Sequence, residues 1–95
     1  LKAIESPNTT TRYYGFKGLR TLGSDAMPAE RRLLELLDHE KSTVVRQSIR
    51  TLVVINVNSE SSIKAIAELA RSHSDPVVRK IAEKTSQALL KPTSP

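Results

Sequence analysis

The sequence predicts an all-α fold in which helical hairpins stack side by side into an α-α superhelix, or solenoid. Three observations predict it: apolar residues recur at helical spacing over most of the 95 residues, the pattern repeats after 33 to 34 residues, and capping residues recur at one place in each repeat. The repeat divides the domain, 1–91, into a partial unit at 1–23 and complete hairpin units at 24–57 and 58–91. Residues 92–95 are predicted to be a disordered tail or linker.

The repeat is visible without gaps when the segment 33–55 is moved forward by 33 residues. The run Val-Val-Arg at 44–46 then falls on the same run at 77–79, and moving back by 34 places Arg46 on Arg12. The first unit lacks most of its opening helix. The shared apolar positions predict a common core of Leu33, Leu37, Val45, Ile49, Leu52, Ile66, Val78 and Ala82.

Five helices are expected, near 8–22, 28–38, 42–56, 59–72 and 75–91. Asn8, Ser42 and Asp75 stand ahead of the second helix of each unit, where their side chains can accept from an unpaired helix N–H. Pro28 and Pro76 suit first helical positions, where a missing N–H costs nothing.

The β-branched run at 53–55 favours a strand on propensity, but its polar neighbours do not alternate as a strand requires, so we predict helix. Asn-Val-Asn at 56–58 is expected to be a loop. Ser59 is expected to cap the helix that follows, with Ser61 or Ser62 as competing caps.

Gly15 and Gly18 lie inside the first helix, where each costs roughly 1 kcal/mol relative to alanine. Small residues permit close approach of helices, so we expect this unit to pack tightly on a preceding element, namely N-terminal repeats absent from this sequence. The alternative is that tertiary packing simply overrides weak propensity.

The segment Asp-Pro-Val-Val-Arg at 75–79, followed by Ala82 and Leu89, resembles the second helix of a HEAT repeat. The segments at 42–46 and 8–12 are similar but weaker copies, and the resemblance extends over 1–90. It implies paired antiparallel helices in a right-handed superhelix, with the second helices lining the concave side. Family members are mostly scaffolds or binding surfaces, and some are appended to enzymes. Armadillo repeats have a longer period and a third short helix, which the tight loops here do not accommodate.

Arg12, Arg46 and Arg79 form the most regular polar series in the sequence. The resemblance implies a structural ladder, in which each arginine packs its stem between units and pairs with an acid or carbonyl near the inter-helix turn. Asp75 stands four residues before Arg79, a spacing that lets the two meet on one helix face.

The second helices also carry polar residues on the side expected to face away from the first helices. We call this set the second-helix face; its alternative interpretation is an ordinary solvated surface. It consists of Tyr13, Lys17 and Arg20 in the first unit, Gln47, Arg50 and Thr51 in the second, and Lys80, Lys84 and Gln87 in the third.

The composition of the chain excludes several classes of function and favours others. The net charge of +5 favours acidic partners, and the absence of cysteine excludes disulfides, cysteine-ligated zinc and a cysteine nucleophile. No apolar stretch is long enough to span a membrane, so we expect no membrane association. We expect an intracellular location, either cytoplasmic or nuclear. His39 and His73 are 34 residues apart, but nothing completes a metal site, so we predict neither metal nor cofactor. No catalytic motif is present.

We therefore expect a non-catalytic protein-interaction scaffold, a fragment of a longer repeat protein, that binds an acidic segment of another protein through the second-helix face. One alternative is a helical accessory domain of a larger enzyme such as a peptidase. A further alternative is binding to the nucleic-acid backbone, which the acidic residues and the scarcity of stacking aromatics disfavour.

Overall fold

The computed structural model describes residues 2–39, 41–55 and 59–90, and these ranges contain helices and turns but no strand. The helices are α1 (Thr9–Leu22), α2 (Glu30–Leu36), α3 (Ser42–Ile55), α4 (Glu60–Ser72) and α5 (Pro76–Leu90). Two 3₁₀ segments, Lys2–Glu5 and Gly23–Ala29, precede α1 and α2. The all-α prediction is confirmed. The predicted loop at 56–58 and tail at 92–95 lie outside the described residues.

The helices form two layers. In one layer the second helices lie side by side, with α3 between α1 and α5; in the other, α2 packs on α3, α4 packs on α5, and α2 contacts α4. The segment Lys2–Glu5 packs on α1. Stacked antiparallel hairpins of this kind are the architecture of a helical-repeat solenoid, as predicted. No helix within the described ranges is long and apolar enough to cross a membrane.

The first helix of the second unit differs from the prediction of a single helix at 28–38. Gly23 ends α1 at a φ of 56°, and the chain continues as a 3₁₀ helix before α2 begins at Glu30. With three residues per turn, residues three apart share a face, which buries both Ala26 and Ala29. Packing of these two alanines therefore decides the local geometry, and Pro28 lies inside the 3₁₀ segment.

Three of the predicted caps are confirmed. Each side chain accepts a hydrogen bond from a backbone N–H in the first turn, which satisfies a donor that has no partner within the helix. Asn8 Oδ1 accepts from Thr11 N (3.0 Å), Ser59 Oγ from Ser62 N (3.2 Å), and Asp75 Oδ1 from Val77 N (2.8 Å).

Ser42 is not a cap of this kind. It is the first residue of α3, and the carbonyl oxygen of Lys41 accepts the first backbone bonds, from Val44 N and Val45 N. The Ser42 hydroxyl donates instead to Asp75 Oδ2 at 2.5 Å, one repeat further along the chain. The prediction was wrong because sequence spacing does not show which neighbour competes for a hydroxyl.

The predicted core is confirmed: all eight residues are buried, and they form one cluster. Phe16 is the only buried aromatic among the described residues, since both tyrosines are exposed. Ser48 and Thr51 are also buried, and their hydroxyls donate to the carbonyl oxygens of Val44 and Gln47 at 2.8 and 2.7 Å. These bonds to the preceding helical turn remove the cost of burying two hydroxyls.

Gly18 makes no close contact with the described residues, since an added Cβ there meets no atom within 4 Å. The expected packing of this unit on a preceding element stays a prediction.

Leu52 lies at the centre of the core and is fully buried, whereas Leu22 is 56% exposed at the end of α1. We predict that Leu52→Ala lowers the free energy of unfolding by about 2 to 5 kcal/mol, because it leaves a cavity. Leu22→Ala is the matched control and should change it by about 0.5 kcal/mol or less. Urea denaturation followed by circular dichroism measures both; equal losses in the two variants would contradict this account of the core.

Replacing the two glycines should have effects of opposite sign. Gly18→Ala should stabilise the fold by about 0.5 to 1 kcal/mol, because it improves helix propensity in open space. Gly23→Ala should destabilise it by about 1 kcal/mol or more, because the positive φ of Gly23 strains any residue with a Cβ. The same denaturation measurement distinguishes them; a destabilising Gly18→Ala would show that an unseen contact occupies the site.

Candidate functional site

Two arginines of the ladder fix the turn that precedes their own helix. Arg12 Nη1 donates to the carbonyl oxygens of Ser6 (3.0 Å) and Pro7 (3.1 Å). Arg79 Nη1 donates to the equivalent carbonyl oxygens, those of His73 (2.7 Å) and Ser74 (3.1 Å). The expected pairing of Asp75 with Arg79 is therefore not formed. Each guanidinium instead satisfies two turn carbonyls that have no helical partner.

Arg46 is the middle copy of this series. Its Nη2 lies 3.5 Å from Thr43 Oγ1, and its Nε is buried with no hydrogen-bond partner in the described part of the chain. The residue six positions earlier, Glu40, lies outside the described residues.

His39 and His73 occupy equivalent turns and make the same bond. The Nδ1 atom of His39 accepts from Lys41 N, and that of His73 accepts from Asp75 N, both at 3.0 Å. The lone pair on each Nδ1 is thus already used by the backbone. No group of three histidine, aspartate or glutamate side chains suited to a metal occurs in the ranges that the structure describes.

Polar side chains link neighbouring units at the repeat spacing. Ser42 reaches Asp75 across 33 residues, and Ser62 Oγ donates to Glu30 Oε2 at 2.8 Å across 32 residues. The hydroxyl of Ser42 and the amide of Val77 hold the pKa of the Asp75 carboxyl below its ordinary value of 3.8. Because both bonds join successive units, and Ser42 and Asp75 are equivalent positions, they contribute to how the units stack.

The second-helix face is only partly what the sequence predicts. Six of its members are exposed, Arg20 and Gln47 are half-buried, and Thr51 is buried, which corrects its assignment to the outward side. The exposed members are Tyr13, Lys17, Arg50, Lys80, Lys84 and Gln87.

Arg20 connects α1 to α3. Its Nη1 donates to Gln47 Oε1 at 2.9 Å and to Thr51 Oγ1 at 3.2 Å. Partial burial, and then the nearby charge of Arg50, lower the pKa of Arg20 from its ordinary value. The structure therefore brings Arg20 and Arg50 close together at the middle of the second-helix face. The hydrogen-bond partners of Arg20 include no acid.

Grooves run between adjacent second helices and repeat with the sequence. The α1–α3 groove is lined in part by Thr9, Arg12, Tyr13, Phe16 and Gln47. The α3–α5 groove is lined by Thr43, Arg46, Gln47, Arg50 and Ile81. The first four stand 34 residues after Thr9, Arg12, Tyr13 and Phe16. A further groove of about 380 Å³ lies toward the C-terminal ends of α3 and α5, lined by Arg50, Val53, Lys84, Thr85 and Ala88.

The family model for HEAT repeats matches residues 1–86. The chain belongs to the HEAT-repeat family. HEAT repeats generally act as protein-interaction scaffolds and are typically non-catalytic. No curated protein and no solved structure matches this chain.

Sequence reasoning missed the residues that shape these HEAT-repeat grooves. Val53, Thr85 and Ala88 were assigned to the helices but not to a surface. The available signal was the small size of Ala88, which stands where Ile55 stands one repeat earlier. A smaller residue at an equivalent position leaves space that the larger one fills.

Asp75 provides a test of the contact between HEAT units. Because its folded pKa is lowered, its contribution to stability is present above about 3.8 and is lost as the pH falls through the folded pKa. Asp75→Asn keeps a cap and an acceptor but not the charge. We predict a melting temperature below that of the wild type near neutral pH, with a difference that shrinks below about pH 3.8.

The control is Asp38→Asn, which removes an exposed carboxylate in the turn after α2. Its melting-temperature difference from the wild type should not follow the same course. A difference for Asp75→Asn that stays constant from neutral to strongly acidic pH would contradict the role given to the charged Ser42–Asp75 contact.

Proposed function

We propose that this chain is a protein-interaction module that binds an acidic segment of another protein on the second-helix face. The single observation that carries the proposal is the sign of the charges around the grooves of that face. Residues that line the three grooves between second helices include four cations, Arg12, Arg46, Arg50 and Lys84, and no acid.

This distribution is specific to one side of the molecule. The chain has 10 acidic residues, and the cavities at the inter-helix turns contain some of them: Glu5 lines one cavity and Asp38 another. The acids are therefore not sparse, but α1 and α3 contain none, and α5 contains one, Glu83, which accepts from Gln87 Nε2 at 3.4 Å and does not line a groove. A groove with cations and no competing carboxylates concentrates a positive potential, which attracts an anionic partner and hastens its association.

The Arg20–Arg50 pair adds a second reason for an anionic partner. Burial and the neighbouring guanidinium both oppose the charged form of Arg20. A carboxylate placed between the two groups would reverse that balance, because an opposite charge nearby favours the charged form. Arginine also suits this role chemically, since its planar guanidinium can make two parallel bonds with a carboxylate.

A polypeptide fits the face better than a nucleic-acid backbone does. Sequence-tolerant binding to single strands uses aromatic side chains along a basic groove. Here both tyrosines lie at one end, on α1, where their rings make an edge-to-face pair with centroids 5.5 Å apart. The described grooves near Arg50 and Lys84 contain no aromatic residue.

The proposal is tested with fluorescein-labelled peptides of equal length, one alternating glutamate with glycine and one alternating lysine with glycine. We predict that the acidic peptide binds, that affinity falls as salt is raised, and that Arg50→Glu weakens binding about tenfold or more. Lys80→Glu, nearer the rim, should act mainly on the association rate. Fluorescence anisotropy and stopped-flow measurements give both quantities.

Two variants in the other layer are the matched controls: Arg31→Glu on α2 and Lys64→Glu on α4, both at exposed positions. Each makes the same change of charge as Arg50→Glu or Lys80→Glu, so binding should stay within about twofold of the wild type if the location of the charge matters. Equal losses of affinity in all four variants would show that binding depends on the net charge of the chain and not on the position of the charge. Tighter binding of a labelled DNA duplex than of the acidic peptide would favour the nucleic-acid alternative.

A further inference from the structure

We propose that the groove between the C-terminal halves of α3 and α5 receives an apolar side chain of the bound segment, so that the recognised motif is an aliphatic residue flanked by carboxylates. This inference rests on the proposed function and specifies the partner's chemistry. The groove measures about 380 Å³ and is lined by Arg50, Val53, Lys84, Thr85 and Ala88.

The two junctions between second helices differ in the side chains that could bridge them. At the α1–α3 junction Arg20 extends across to Gln47 and Thr51 and occupies the space between the helices. The spacing of 34 from α1 to α3 puts Val54 at the position of Arg20, and the spacing of 33 from α3 to α5 puts Lys80 and Lys84 at the positions of Gln47 and Thr51. Valine has no donor and a short side chain, so no equivalent bridge can form there.

The interior of the groove is apolar and its walls are cationic. Val53 is half-buried and packs against the core, Thr85 is half-buried, and Ala88 is exposed. Arg50 on α3 and Lys84 on α5 are both exposed and line the same groove. An apolar side chain placed between them would bury its surface against Val53 and Ala88 while its neighbours in the chain contact the two charges.

This arrangement selects one class of occupant. A purely apolar ligand would take water from Arg50 and Lys84 without giving them a partner, which is unfavourable. A second copy of this chain would bring its own net charge of +5 to a cationic surface. In a segment with acids on both sides of an apolar residue, the apolar side chain can pack in the interior of the groove while the carboxylates pair with Arg50 and Lys84.

The test uses three labelled nonapeptides with glycines at both ends. Their central five residues are Glu-Glu-Leu-Glu-Glu, Glu-Glu-Gly-Glu-Glu and Gln-Gln-Leu-Gln-Gln. We expect the first to bind about tenfold more tightly than the second, since burying one leucine side chain supplies a free energy of that order. The third should bind more weakly than the first, because it lacks the carboxylates.

The matched variants are Ala88→Leu, which fills the groove from an exposed helical position, and Ser61→Leu, which adds the same side chain at an exposed position of α4. Ala88→Leu should remove the advantage of the leucine peptide over the glycine peptide. Ser61→Leu should preserve that advantage. Circular dichroism of both variants checks that the helical fold is retained.

The outcomes separate this inference from the proposed function. Equal affinity for both acidic peptides, or a leucine advantage that survives Ala88→Leu, overturns the groove assignment and leaves acidic recognition in place. Equal affinity for the first and third peptides removes the requirement for carboxylates. Failure of both acidic peptides to bind overturns the proposed function, and the groove assignment with it.

Discussion

Helix α3 contacts α1, α2 and α5 at once, and the stacking of the other elements depends on this shared burial. Seven of its fourteen residues are buried, so its apolar surface cannot be covered by α2 alone. The partner within its own hairpin covers one side, and second helices of the neighbouring units cover two more. This is why the repeat is not an independent unit: each hairpin leaves apolar surface that only the next hairpin in the stack can bury.

Apolar burial does not determine how the hairpins are set against each other, because it is non-directional. Directional bonds supply that information at the turns. Arg12 and Arg79 hold the carbonyl oxygens of their own turns, and Ser42 joins one turn to Asp75 in the next. These residues recur at the repeat spacing because the turns they hold recur at that spacing. Turn geometry thereby accounts for Arg12 and Arg79, whereas the other cations of the second-helix face, Lys17, Arg20, Arg50, Lys80 and Lys84, lie outside that series.

The features that depend on local pattern were predictable, and those that depend on contacts between helices were not. Helical spacing was sufficient to identify the core from Leu33 to Ala82, because a buried stripe leaves its period in the sequence. The 3₁₀ segment at Gly23–Ala29 leaves no such period, since the burial of two alanines decides it. Thr51 was placed outward from its position on the helix, but α1 lies over it and Arg20 reaches it. The open groove was invisible for the same reason: it depends on which side chain crosses from one helix to the next.

Positions that agree between repeats and positions that differ have different physical roles in this fold. Agreement is needed wherever one unit must pack on the next, as in the Val-Val-Arg runs at 44–46 and 77–79. The second helices have no further layer on their exposed side within the described ranges, so substitutions there are free of the stacking constraint. The exchange of Arg20 for Val54 between equivalent positions is such a substitution, and valine cannot form the polar bridge that Arg20 makes to Gln47 and Thr51. A stack of units with a shared core pattern thus has junctions that differ along its surface, and specificity requires such differences, since a uniform surface offers a partner several equivalent registers.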